Sequence, residues 1–138
     1  MGKESFKKLL VWQRAKDIAV QVYRLTKDSD LARDFGLTDQ LRRSAVSVAS
    51  NIAEGQERDT DKDGNRFLWM AKGSLGELRT QLQIAAETGQ IPEKAYTGID
   101  AECETLARMI GRLIQSRSSV PRLVPRGSRP TGIARKIT

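Results

Sequence analysis

The residues Asp59-Thr60-Asp61-Lys62-Asp63-Gly64 match the first half of an EF-hand calcium loop, D-x-D-x-D-G. The second half of the match fails. The twelfth position, where the loop needs a bidentate carboxylate, is Met70, and the eighth brings in the cation Arg66. The stretch therefore reads as an acid-rich loop entering a helix, and no metal is expected. A second group, Gln40, Arg43, Ser47, Asn51 and Glu54, recurs at helical spacing and would line one side of a helix. Two roles fit it: a buried polar network that sets helix register, or part of a binding or catalytic site. The structural role is preferred, because Glu54 has no second carboxylate at helical spacing with which to form an acid/base pair.

The rest of the composition narrows the chemistry further. The chain has no histidine and one cysteine, Cys103. Zinc sites and Ser-His or Cys-His catalysis are thereby excluded. Cys103 falls within an apolar stripe and reads as a small buried hydrophobe, in keeping with a reducing cytoplasm. There is no glycine-rich phosphate loop, no apolar run long enough to span a membrane, and no recognisable signal peptide at the N-terminus. Neither an enzyme nor a cofactor is expected.

Four amphipathic segments must position these residues. Lys8 to Lys27 carries Val11, Ala15, Ile18, Val22 and Leu25 on one stripe, flanked by Trp12 and Ala19. Leu31 to Phe35 is a short connector. Gly36 to Gly55 is the second helix, with Thr38 as its expected N-cap and Gly55 as its expected left-handed C-terminal residue. Its stripe is Leu37, Leu41, Ser44, Ala45, Val48 and Ile52. The third helix runs from Asp61 to about Thr88 on Phe67, Ala71, Ser74, Leu75, Leu78, Leu82 and Ala85, and Gly89-Gln90 ends it. Pro92 opens the fourth, whose stripe is Tyr96, Ile99, Cys103, Leu106, Ile110 and Leu113. No segment shows a sustained period of two. Short loops force antiparallel neighbours, so the expected fold is an all-α, up-down-up-down four-helix bundle over residues 1–115. Trp12, Phe67 and Tyr96 are its expected bulky fillers.

Opposite the core stripe of the third helix lie Trp69, Gly73, Gly76, Thr80 and Ile84. Each interior glycine costs about 1 kcal/mol relative to alanine. A tryptophan beside them would be wasted on solvent. Small residues next to a large aromatic suit an oligomer interface.

The net charge of +7 suggests nucleic acid until it is located. Six cations and no acid lie in residues 116–138, whereas residues 1–115 carry 18 basic and 17 acidic side chains. The basicity thus belongs to a tail that is rich in proline and serine and expected to be disordered. Within it, Leu123 to Ser128 reads LVPRGS, the string of a thrombin-cleavage linker. The tail is either native or vector-encoded, and it is set aside from the fold.

Three blocks together carry a resemblance. They are Phe6-x-x-Leu9-x-Val11-Trp12-x-x-Ala15; Gly36-Leu37-Thr38-x-Gln40-Leu41-Arg42-Arg43-Ser44-Ala45-x-Ser47-x-x-Ser50-Asn51-Ile52-Ala53-Glu54-Gly55; and Arg66-Phe67-Leu68-x-x-Ala71-x-Gly73-Ser74-x-x-Glu77-Leu78. Over about residues 6–115 the chain resembles the four-helix bundle family of the 23S ribosomal RNA intervening-sequence proteins. The resemblance implies a homopentamer and an association with inserted segments of bacterial 23S ribosomal RNA genes. A related branch, the accessory variability proteins of diversity-generating retroelements, pairs a basic pentamer with a reverse transcriptase and RNA. The near-neutral body departs from that basic character.

The expected partners are further copies of the chain and a structured RNA or RNA–protein complex. Candidate nucleic-acid contacts are Arg42, Arg43, Arg58, Arg66, Lys72 and Arg79, repeated by symmetry in a ring. The alternative is a protein-interaction scaffold or an accessory subunit of a retroelement reverse transcriptase.

Overall fold

Each apolar stripe becomes one helix of a bundle in the computed structural model, which describes residues 5–118. Helix α1 spans Leu10–Lys27 and follows a short 3-10 turn at Ser5–Lys8. A second 3-10 turn, Asp30–Arg33, leads to α2, Phe35–Gln56. Helices α3, Asp61–Glu87, and α4, Glu93–Arg117, complete the order. Each helix packs on its sequence neighbour, with α2 and α3 in the most extensive contact, and α1 closes the ring against α4. This is the all-α, up-down-up-down bundle. No strand occurs among the described residues.

The core is aliphatic. Val11, Ala15, Ile18 and Val22 meet Leu41, Ala45, Val48 and Ile52 from α2, Leu75, Leu78 and Leu82 from α3, and Cys103, Leu106 and Ile110 from α4. The large rings do not fill its centre: Trp12, Phe67 and Tyr96 are half-buried at its edge. On α3 the buried position at the helix start is Leu68 rather than Phe67, so the stripe there is rotated by one residue.

The ends of α2 differ from the expectation. Asp34, not Thr38, is the N-cap, its Oδ1 accepting from the Leu37 amide at 3.1 Å. Thr38 lies one turn further in and donates to the Leu31 carbonyl at 2.6 Å, tying the connector to α2. Gly55 is not a left-handed terminator; it is helical and buried, and the helix runs on through Gln56. It is glycine because α3 crosses against it. A Cβ on Gly55 would stand 2.8 Å from the Gly64 carbonyl oxygen, and one on Gly64 would stand 2.7 Å from the Gly55 oxygen. The left-handed glycine is Gly89, φ 76°. There the Gly89 amide bonds the Ala86 carbonyl and the Gln90 amide bonds Ala85, a Schellman ending that stops α3.

Helix α4 continues past residue 115 because its end is fastened. Asn65 Nδ2, buried in α3, donates to the Ile114 carbonyl at 3.2 Å and to Ser118 Oγ at 2.9 Å. Arg117 reaches Gln56 Oε1 at 2.7 Å. The remainder of the tail, with its LVPRGS string, lies outside the described residues.

Candidate functional site

Helix α2 and its two neighbours position most of the residues singled out above. A groove of about 890 Å³ brings Gln40, Arg42, Arg43 and Ser47 together with Glu77 and Gln81 of α3. Asn51 and Glu54 are not part of it. The polar stripe is therefore not the buried register-setting network expected. Arg43 is exposed and pairs with Asp39 one turn back at 3.6 Å, while exposed Glu54 pairs with Arg58. Both side chains point away from the core, so each finds its counter-ion on its own side of the helix. What remains is a short relay between helices. Asn51 Nδ2 donates to the Ser47 carbonyl at 3.0 Å and lies 3.1 Å from Ser47 Oγ, which shares a 2.8 Å hydrogen bond with Ser74 Oγ of α3.

The six cations expected to meet nucleic acid do not form one surface. Arg42 is half-buried between α1 and α2; its Nε donates to Thr26 Oγ1 at 2.9 Å and its guanidinium covers the Tyr23 ring at 4.5 Å. Arg43 shares that region. Arg58 and Arg66 flank Phe67 at the α2–α3 turn, 4.5 and 5.2 Å from the ring centre, with Asp63 bonded to Arg66 at 2.8 Å. Lys72 sits over Trp69, and Arg79 forms a two-pronged pair with Asp100 of α4 at 2.8 and 3.1 Å. The hydrogen bond to Asp100 raises the Arg79 pKa above its ordinary value. Arg43, Arg58, Arg66 and Arg79 thus each face a carboxylate inside the chain. The acidic D-x-D-x-D-G stretch takes part in this neutralisation: Asp61 and Asp63 occupy the first turn of α3, whose N-cap is Thr60.

The α3 outer face is laid out as the spacing implies. Trp69 is 59% exposed and Ile84 48%. Between them Gly73, Gly76 and Thr80 are exposed, and a Cβ added at either glycine would meet nothing within 4 Å. A strip of small residues about 10 Å long, Gly73 to Thr80, thus lies between two exposed apolar side chains about 22 Å apart along the helix. Cys103 is fully buried, and burial, ahead of the nearby Asp100 charge, pushes its thiol up to about 12. A thiol so placed is not a nucleophile at neutral pH.

A model for proteins described as "23S rRNA-intervening sequence protein" matches residues 7–112. The chain belongs to that family. It is similar to a crystal structure of a protein of unknown function from the S23 ribosomal protein family of Bacteroides thetaiotaomicron. The two share 21% identity and a TM-score of 0.71, over 77% of this chain and 99% of that one. At that identity the likeness speaks for the fold. No functionally curated protein matches the chain. No helix among the described residues is long and apolar enough to cross a membrane.

Four residues have cross-helix roles that the sequence does not show, including Ser74, expected only as part of the α3 stripe. Thr26 holds Arg42, Asn65 fastens α4, Ser74 completes the α2–α3 relay and Asp100 receives Arg79. Each acts across a helix interface that spacing within one helix does not reveal. One signal was available: Lys16, Val20, Tyr23 and Lys27 recur at i, i+4, i+7 and i+11 along one line of α1.

Proposed function

We propose that this chain is a non-enzymatic, homo-oligomeric helical scaffold that binds RNA or an RNA–protein complex in the bacterial cytoplasm. The observation that carries the reading is the α3 outer face, where Trp69 and Ile84 stay exposed at either end of a strip of small residues. An exposed tryptophan beside helix-weakening glycines is costly for a monomer and useful at a close helix contact. The pentamer implied by the family resemblance is the proposed assembly. The RNA part rests on the family's description, which names an intervening sequence of 23S ribosomal RNA.

The second reading is a protein-interaction scaffold, with an accessory subunit of a retroelement reverse transcriptase as one form of it. It is favoured by the neutralisation of Arg43, Arg58, Arg66 and Arg79 within the chain. Titration of a labelled structured RNA at low salt separates the two. Binding whose logarithm falls linearly with the logarithm of salt supports the first. A chain that binds no RNA and co-purifies with a protein supports the second.

A further inference from the structure

Arg43, Arg58, Arg66 and Arg79 are paired with carboxylates, but the candidate Arg42 lines a second groove together with cations of α1. The groove between the outer side of α1 and Arg42 of α2 holds about 580 Å³, and its charged lining is Lys16, Arg24, Lys27 and Arg42, with no carboxylate. Lys16 is ion-paired, with Asp17 Oδ1 at 2.8 Å from its Nζ. Arg24 and Lys27 have no acidic partner among the described residues, which sets them apart from Arg43, Arg58, Arg66 and Arg79. The floor is apolar. Val20 is 38% exposed and Tyr23 44%, both large for an aliphatic or aromatic position on a bundle helix. Arg42 is held in place by Thr26 and by the Tyr23 ring, so its guanidinium is presented with little freedom left to lose.

We infer that this α1–α2 groove is the surface on which a strand of RNA lies, with its phosphates against Lys16, Arg24, Lys27 and Arg42 and a base against Tyr23. Three features of the groove fit that occupant. Lys16, Arg24 and Lys27 span about 16 Å along α1 with Arg42 of α2 across from them, enough to follow several consecutive phosphates rather than one isolated anion. Among the described residues no carboxylate lines the groove, and Asp17 beside it is paired with Lys16, so the lining carries a net positive charge. The Tyr23 ring, 44% exposed even with the Arg42 guanidinium over it, and that guanidinium itself are planar groups of the kind on which unpaired bases stack. Charge complementarity alone would also admit an acidic protein; the exposed aromatic floor within the basic rim favours the nucleic acid. In an assembly built through α3, the groove on α1 repeats once per copy. The inference rests on the RNA-binding reading proposed above and gives it a location.

The test compares full-length chains. Fluorescence anisotropy follows a labelled single-stranded RNA and a labelled RNA hairpin across roughly 50 to 200 mM salt, the range over which phosphate contacts are most visible. The groove variant is the double substitution Arg24→Glu and Lys27→Glu. The comparison variant is Arg43→Glu with Arg66→Glu, which carries the same change in net charge at cations already paired. The groove variant is expected to lose at least about tenfold in affinity, and its log–log salt slope is expected to fall by about 1.5, the loss of two phosphate contacts. The comparison variant is expected to keep the slope. Should the glutamates impair folding, as read by circular dichroism, Arg24→Gln with Lys27→Gln and the single Tyr23→Leu provide the same test. The glutamine pair then lowers the slope, and Tyr23→Leu weakens the single strand more than the hairpin.

If the unaltered chain binds RNA and the groove variants bind equally well, the groove is wrong and the RNA reading stands. Equal losses in the groove and comparison variants also overturn the groove, because net charge alone then explains them. If the groove variants change the oligomeric state and leave RNA affinity intact, the surface is a contact between copies and the inference fails. An unaltered chain that binds neither RNA at low salt overturns the groove and the RNA reading together.

Discussion

Gly55 of α2 and Gly64 of α3 meet backbone to backbone, so close that a methyl group on either would lie 2.8 or 2.7 Å from the other's carbonyl oxygen. This contact fixes the crossing of the two helices directly beside the turn that joins them. It explains why the α2–α3 link is only Glu57–Thr60. Alanine at Gly55 or Gly64 must push a rigid backbone aside. Each substitution is expected to lower stability by about 1–3 kcal/mol, the usual penalty for an overfilled contact. Urea unfolding of the two variants checks this, and a wild-type midpoint for both would show that the helices can separate without loss.

The same substitution has the opposite sign a few turns along α3. A Cβ at Gly73 or Gly76 meets nothing within 4 Å. Replacing a helical glycine by alanine there removes backbone entropy from the unfolded chain, and each change is expected to add about 0.5–1 kcal/mol to folding of the single chain. A leucine at Gly76 should leave folding intact and weaken self-association, because it fills the strip between Trp69 and Ile84. Sedimentation velocity on the leucine variant reads the second effect.

Asn65 is buried, and it donates to the last turn of α4 from the first turns of α3. Leucine in its place leaves the Ile114 carbonyl without this donor. That carbonyl keeps Ser118 Oγ as a donor at 2.8 Å, so the expected cost is that of one lost hydrogen bond, about 0.5–1.5 kcal/mol. Hydrogen exchange of the α4 amides near residues 110–117 should rise in Asn65→Leu while the N-terminal half of α4 stays protected. Uniform protection along α4 would count against this role.

Cys103 gives the bundle an alkaline limit. Its thiol is pushed from an ordinary 9.0 up to about 12, chiefly by burial. The folded state therefore holds this proton more tightly than the unfolded state does. The resulting stability is fully present below pH 9 and is lost as pH rises toward 12. Comparison of Cys103→Ala with the unaltered chain isolates the effect, and the alanine variant should show the shallower alkaline decline. At neutral pH a thiol reagent should label Cys103 only at the rate of unfolding; rapid labelling of the native protein would contradict the burial.

The bundle was legible because its four stripes obey helical spacing, and because the loops between them are too short for any arrangement but antiparallel neighbours. Leu41, Ala45, Val48 and Ile52 are all in the core where periodicity places them. The helix ends were less legible. Gly55 satisfies the local rule for a terminator, but a tertiary contact with Gly64 is what requires it, and no local pattern distinguishes the two uses of glycine. Phe67 lost its core position to Leu68 for a similar reason: at that level α3 presents Gly64 and Asn65 to its neighbours, and the ring turns outward under Arg58. The site was legible only in part. Spacing put Arg43 and Glu54 on one line, but it could not show that Asp39 and Arg58 stand closer to each than they do to one another. Arg24 and Lys27, without an acidic partner among the described residues, were in view on α1, although the carboxylates that neutralise Arg43, Arg58, Arg66 and Arg79 had to be placed in space before the contrast emerged.

The central claim is that the Trp69–Ile84 face of α3 joins copies of the chain. Multi-angle light scattering of the purified protein at micromolar concentration tests it most directly, with Trp69→Arg measured alongside. The expected result is a single species at a multiple of the 15.4 kDa chain mass, fivefold for the proposed pentamer, and a shift toward that single-chain mass in Trp69→Arg. A monomer for the unaltered chain, or an oligomer that Trp69→Arg leaves whole, would contradict it.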